Sequence, residues 1–144
     1  MTQRIDEALW IEFLKQYQRK YRHITEIQRI TKELGDALSR NDRVAAELLL
    51  VMRKDEMTGA DQCEKNIALL LESLPGEMRQ FAEACLHGTK ELLPDADKGR
   101  QWLEKIYDIQ EKSKSILQDT IQRDQVMNRK VAGDNSFYAK KAGK

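Results

Sequence analysis

The chain has 144 residues, 40% of them hydrophobic and 34% charged, a balance that supplies narrow apolar seams between solvated helices rather than one deep globular core. Its 25 basic and 24 acidic residues leave a formal net charge of +1, which excludes the broad positive field of a general nucleic-acid binder. No run approaches the roughly 20 apolar residues that cross a bilayer, and only two prolines occur, so the composition points to an all-α protein without membrane insertion.

From Gln3 to Leu38 apolar residues recur every three or four positions, which predicts a first helix over 3–38. Its stripe runs through Trp10, Leu14, Tyr17, Tyr21, Ile24, Ile27, Ile30 or Thr31, Leu34 and Leu38, widened at the start by Ile5, Leu9 and Phe13. Such a helix covers roughly 50 Å at 1.5 Å per residue, so it must lay its stripe along other helices instead of folding round a pocket. The aromatics Trp10, Phe13, Tyr17 and Tyr21 stand at helical spacing and read as seam. Next, Ser39-Arg40-Asn41-Asp42 gathers turn and capping residues, with Asn41 or Asp42 the N-cap of a second helix over 42–73. That helix carries Val44, Leu48, Val51 or Met52, a polar middle from Arg53 to Gln62, then Cys63, Ile67, Leu70 or Leu71 and Leu74. The polar middle contains Gly59, worth about 1 kcal/mol against alanine in a helix, and is expected to kink, fray or lie exposed.

Leu74-Pro75-Gly76 stops the second helix, because proline disfavours helical geometry in the residue before it. A short amphipathic segment over 77–87 follows, with Met78, Phe81, Ala82, Cys85 and Leu86 on one side and Gly88 as C-cap. Leu92-Leu93-Pro94-Asp95 punctuates the chain again, and Asp95 or Asp97 is placed to cap a long last helix over 96–131. Its stripe is Trp102, Ile106, Ile109, Ser113, Ile116, Thr120, Met127 and Val131. Gly133-Asp134-Asn135 is expected to end it and to open a flexible tail over 133–144 that bears Phe137 and Tyr138 beside Lys140 and Lys141. The whole predicts one helical domain over 1–132, an elongated antiparallel bundle or coiled coil with long first and last helices.

Catalytic parts are missing from this pattern. His23 and His87 sit in different segments with no nucleophile arranged beside them, and the glycines stand singly at break points rather than in a phosphate loop. Cys63 and Cys85 lie 22 positions apart with no CxxC spacing, which favours reduced, half-buried thiols over a disulfide or a metal site. Neither enzyme activity nor a cofactor is expected. Met1 to Glu7 is polar rather than a signal peptide, so the expected location is cytoplasmic.

The order of segments resembles the FlgN-type flagellar export chaperones. The residues that carry the likeness are Ala37-Leu38-Ser39-Arg40-Asn41-Asp42 at the first turn, Val44-Ala45-Ala46-Glu47-Leu48-Leu49 opening the second helix, and the tail Gly133-Asp134-Asn135-Ser136-Phe137-Tyr138-Ala139-Lys140-Lys141. Members often carry glycine before the aspartate of that turn, where this chain has Asn41. The resemblance implies a cytoplasmic chaperone that holds hook-associated proteins by their C-terminal helices before type III export, with the export gate as a further contact. Client termini of that kind are amphipathic, and an apolar helical surface covers them. The last helix has the richest stripe, which makes Trp102, Ile106, Ile109, Ile116, Ile121 and Met127 the candidate client surface, with Phe137 and Tyr138 as a docking element. Periodicity and composition fit a second class equally: a coiled-coil scaffold or adaptor that pairs as a homodimer and has no export role.

Overall fold

A computed structural model describes residues 5–88, 93 and 97–135 of the chain, with side chains described as far as residue 129. Four helices account for nearly all of it: α1 (Glu7–Ser39), α2 (Arg43–Glu72), α3 (Gly76–His87) and α4 (Lys98–Asn135), with no strand among the described residues. The fold is an all-α bundle with long first and last helices. α1 starts four residues later than the periodicity predicts, at Glu7, after the N-cap residue Asp6, whose carbonyl takes the first amide bonds from Leu9 and Trp10. α4 begins at Lys98 and continues through Asn135, past the expected stop at Gly133, because one glycine with no proline behind it does not break the hydrogen-bond ladder. Leu92, Pro94, Asp95, Phe137 and Tyr138 lie outside the described residues.

The α1–α2 turn shows local chemistry deciding the fold. Asn41 has φ 58°, its amide donates to Leu38 C=O at 3.1 Å, and the Asp42 amide donates to Ala37 C=O at 2.9 Å. This bond pair and left-handed residue form a Schellman cap, a position where asparagine is the commonest substitute for glycine. Asp42 then caps α2 by accepting the Ala45 amide at 3.1 Å. Replacing Asn41 by alanine is expected to cost about 1 kcal/mol, and replacing it by glycine a few tenths or less. Urea unfolding of the two variants separates these outcomes.

α2 descends antiparallel to α1. Asn66 Nδ2 donates to Gln16 Oε1 at 3.1 Å, Lys20 meets Glu64 at 2.7 Å, and Arg53 Nη1 donates to Thr31 Oγ1 at 3.1 Å. α4 lies along another side of α1 and runs in the same direction as α1. Trp102 Nε1 donates to Glu7 at 2.8 Å near the start of both helices, and Gln28 Nε2 donates to Asp119 at 2.7 Å further on. Asp97 caps α4 through the Gly99 amide at 2.7 Å, and Gly99 faces the indole of the fully buried Trp10.

α3 takes the corner diagonal to α1. It packs against both α2 and α4, and its buried Ala82, Cys85 and Leu86 join Trp10, Phe13, Leu14, Tyr17, Ile67, Leu103 and Ile106 in the larger core cluster. The Tyr107 hydroxyl donates to Cys85 C=O, and Gln110 Nε2 donates to Leu86 C=O at 3.3 Å. These bonds fix the C-terminal end of α3 about one third of the way along α4. With 12 residues against 33 and 38 for α1 and α4, α3 is roughly 18 Å long and closes only one end of a four-helix square. At the other end, Ile30, Leu34, Ala37, Ala46 and Leu49 form a second, smaller cluster by the α1–α2 turn. Between the two clusters the corner that α3 occupies is open.

Candidate functional site

The open corner is a groove of about 370 Å³. Ile24 and Ile27 of α1, both buried, make its floor. Met57 and Ala60 form the α2 wall, and Leu117 and Ile121, one turn apart, form the α4 wall. Met57 is 51% exposed, Ile121 54% and Leu117 37%, so aliphatic side chains on both walls stand in solvent above an aliphatic floor. The buried Thr120 hydroxyl at the base is used locally, donating to Ile116 C=O at 2.8 Å.

Charged pairs bound this apolar strip. At the end nearer the α1–α2 turn, Arg53 Nη1 reaches across from α2 to Asp124 of α4 at 2.8 Å and also donates to Thr31 Oγ1. At the end nearer α3, Lys20 pairs with Glu64 at 2.7 Å, and Asp61 adds a carboxylate to the α2 rim. Apart from the locally bonded Thr120 hydroxyl at its base, the groove offers aliphatic contact along its length and polar groups at its edges, the pattern of a site that takes apolar side chains and leaves their backbone at the rim.

The polar middle of α2 does not fray: the helix runs unbroken from Arg43 to Glu72, and of the three expected outcomes it is exposure that holds, with no residue of 53–62 buried. Gly59 faces the ring of His23 so closely that a Cβ there would overlap the imidazole, and His23 Nδ1 lies 2.7 Å from Glu56 Oε1. The glycine makes room for a polar clasp between α1 and α2 rather than weakening the helix. Gly59→Ala is expected to be nearly neutral, because about 1 kcal/mol of helix propensity is offset by displacement of His23 and loss of its bond. In a His23→Ala background the same substitution should gain about 1 kcal/mol, and a double-mutant cycle in urea measures that coupling.

The candidate client surface read from the sequence divides. Ile106 is fully buried in the larger cluster, and Trp102 and Ile109 pack partly buried against it. Met127 packs against the smaller cluster, and Ile116 is half-buried. Ile121 alone of the described positions lies on the groove. A partner cannot reach Ile106 while the bundle is closed, because α4 uses that face to seal against α1. Leu117 and Met57, which lie off the sequence stripes, supply the exposed apolar walls with Ile121. For Leu117 a signal existed, its i, i+4 spacing with Ile121; Met57 had none, standing alone in a charged run.

A second apolar strip lies on α2. Val44, Leu48 and Val51, at i, i+4 and i+7, are 79%, 60% and 59% exposed, on the side of α2 away from the buried Ala46 and Leu49. Chemistry is sparse elsewhere. Burial pushes the Cys85 thiol up to about 11, with the Asp97 charge adding to it, and burial also raises Cys63, so both are poor nucleophiles. Among the described residues no group of three or more His, Cys, Asp or Glu is placed to hold a metal ion, and no helix is long and apolar enough to cross a membrane. No protein-family model, no curated protein and no solved structure matches the chain.

Proposed function

We propose that this protein is an export chaperone of the FlgN type, which holds an amphipathic helix of a hook-associated protein in the groove between α2 and α4. The supporting observation is the open fourth corner of the bundle. Three helices present aliphatic side chains to a space bounded by α3 at one end and the Arg53–Asp124 pair at the other. A helix laid there completes the square and buries Met57, Leu117 and Ile121, each apolar Å² contributing about 25 cal/mol. The mixed charge of the rims keeps the chaperone and its client soluble. The segment order and the first turn support the flagellar assignment through family likeness, and a cytoplasmic location belongs to the same proposal.

Co-expression with hook-associated proteins, followed by size-exclusion chromatography with light scattering, tests it. The expected result is a soluble complex of defined stoichiometry that is lost in a Met57→Glu/Ile121→Glu variant retaining parent helicity and melting temperature. A complex that forms undiminished with the double variant, or the absence of any complex, would contradict the proposal.

A second reading has its own observation. The Val44, Leu48 and Val51 strip on the outer face of α2 suits a self-associating scaffold that pairs through that helix. Such a protein would be dimeric by itself, and Leu48→Lys would make it monomeric without touching the groove.

A further inference from the structure

We infer that the groove takes a partner helix in one polarity, with the N-terminus of that helix toward α3 and its C-terminus toward Arg53, and with a basic residue set against Asp61. The inference rests on the groove being the docking site and adds the direction and chemistry of the occupant. The groove continues the corner that α3 fills. Lys20, Glu64 and Leu117 mark its start, about one to two turns beyond the level of Tyr17, Ile67 and Gln110, the last of which bonds the C-terminal end of α3. A helix entering there abuts the C-terminal end of α3, whose Ala84, Cys85 and Leu86 carbonyls already accept from the Gly88 amide, Tyr107 and Gln110, and the favourable neighbour for the remaining negative end of its dipole is the positive N-terminus of another helix.

The opposite end gives the same answer independently. Arg53 spends one guanidinium nitrogen, Nη1, on both Thr31 and Asp124. Its Nε and Nη2 make no bond among the described residues, which leaves donors at the place where the last carbonyls of an incoming helix would need them. Between the two ends the lining is aliphatic, so the partner presents branched or unbranched aliphatic side chains at i and i+4 rather than a row of charges. At this rim Lys20 of α1 and Glu64 of α2 satisfy each other, whereas Asp61 stands exposed without an ion pair among the described residues and matches a lysine or arginine on the partner. A second copy of this chain fits less well. The exposed aliphatic strip of α2 would have to enter the groove of a neighbour, and such a heterologous contact closes into a ring or runs on as a filament.

The test uses the full chain and a synthetic amphipathic helical peptide of about 16 residues, with two leucines four apart, one lysine on the flank, and a nitroxide at either end. Amide spectra should shift at Met57, Ala60, Leu117 and Ile121. The N-terminal nitroxide should broaden His87 and Gly88, and the C-terminal one should broaden Arg53 and Asp124. Asp61→Lys should weaken the lysine peptide about threefold and restore a glutamate-bearing peptide. Broadening in the reverse order would overturn the polarity while leaving the docking site intact. Shifts confined to Val44, Leu48 and Val51, or none, would remove the docking site itself. A chain that sediments as a concentration-dependent polymer, with its groove amides already protected, would assign the groove to a second copy and overturn the inference.

Discussion

Gly99→Ala is expected to destabilise the protein by about 2–3 kcal/mol and to lower its melting temperature by roughly 10 °C. A Cβ at this position would overlap Cδ1 and Nε1 of Trp10 and crowd Asp97 Oδ1. Trp10 has no exposed surface and is wedged against Phe13 at a centroid distance of 5.9 Å, so its ring cannot swing aside. The Asp97 cap on the Gly99 amide, worth about 1 kcal/mol, is strained by the same methyl group, and the gain in helix propensity recovers only part of the loss. Gly76→Ala is the matched control: a Cβ at Gly76 meets nothing within 4 Å, and that variant should be neutral or slightly stabilised. Thermal melts of the two variants beside the parent check both statements. Equal destabilisation of the two would mean that Trp10 does not pack on the start of α4.

Alkaline pH should expose Tyr17. Its phenol is pushed from 10.0 up to about 12, chiefly by burial, with the Glu64 charge adding and a Gln110 hydrogen bond opposing. The folded value lies above the unfolded one, so the native state favours the neutral phenol. The stability this contributes is complete below pH 10 and is lost as pH rises from about 10 to about 12. Two units correspond to about 2–3 kcal/mol. Urea unfolding at pH 9 and near pH 11.5 should show that loss in the parent and a smaller one in Tyr17→Phe, which has no proton to release. Equal alkaline losses in the two proteins would place Tyr17 in solvent and open the joint where α1, α3 and α4 meet.

Much of this architecture was legible in the residues because it is set locally. Asp42 and Asp97 cap the helices that follow them, Leu74-Pro75-Gly76 separates α2 from α3, and the spacing of Trp10, Leu14, Tyr17, Ile24, Ile27 and Ile30 marks a single buried face. These are effects within a few residues, and their side chains state them directly. Asn41 in place of glycine was legible as a turn, although its left-handed geometry shows only in the backbone.

What the residues concealed depends on neighbours distant in the chain. Gly59 reads as a weak point until His23 is seen lying over it, and Gly99 reads as an unremarkable first-turn residue until Trp10 is seen against it. Periodicity gives α4 one stripe, but α4 faces α1 along its length and α3 over only its first third. Ile106 is therefore sealed while Leu117 and Ile121, off to one side, face open space. The groove exists because α3 is short, and the length of α3 relative to α1 and α4 matters only once the four-cornered arrangement is known. A helical face that covers two neighbours unequally cannot be divided into seam and free surface by spacing alone.

Amide hydrogen exchange of the protein with and without a bound hook-associated protein tests the groove most directly. Slowed exchange should concentrate in α2 around Arg53 to Glu64 and in α4 around Ile116 to Asp124, the two segments that wall the open corner. Protection over Val44 to Val51 with those segments unchanged would contradict the groove as the docking site and move the partner to the outer face of α2.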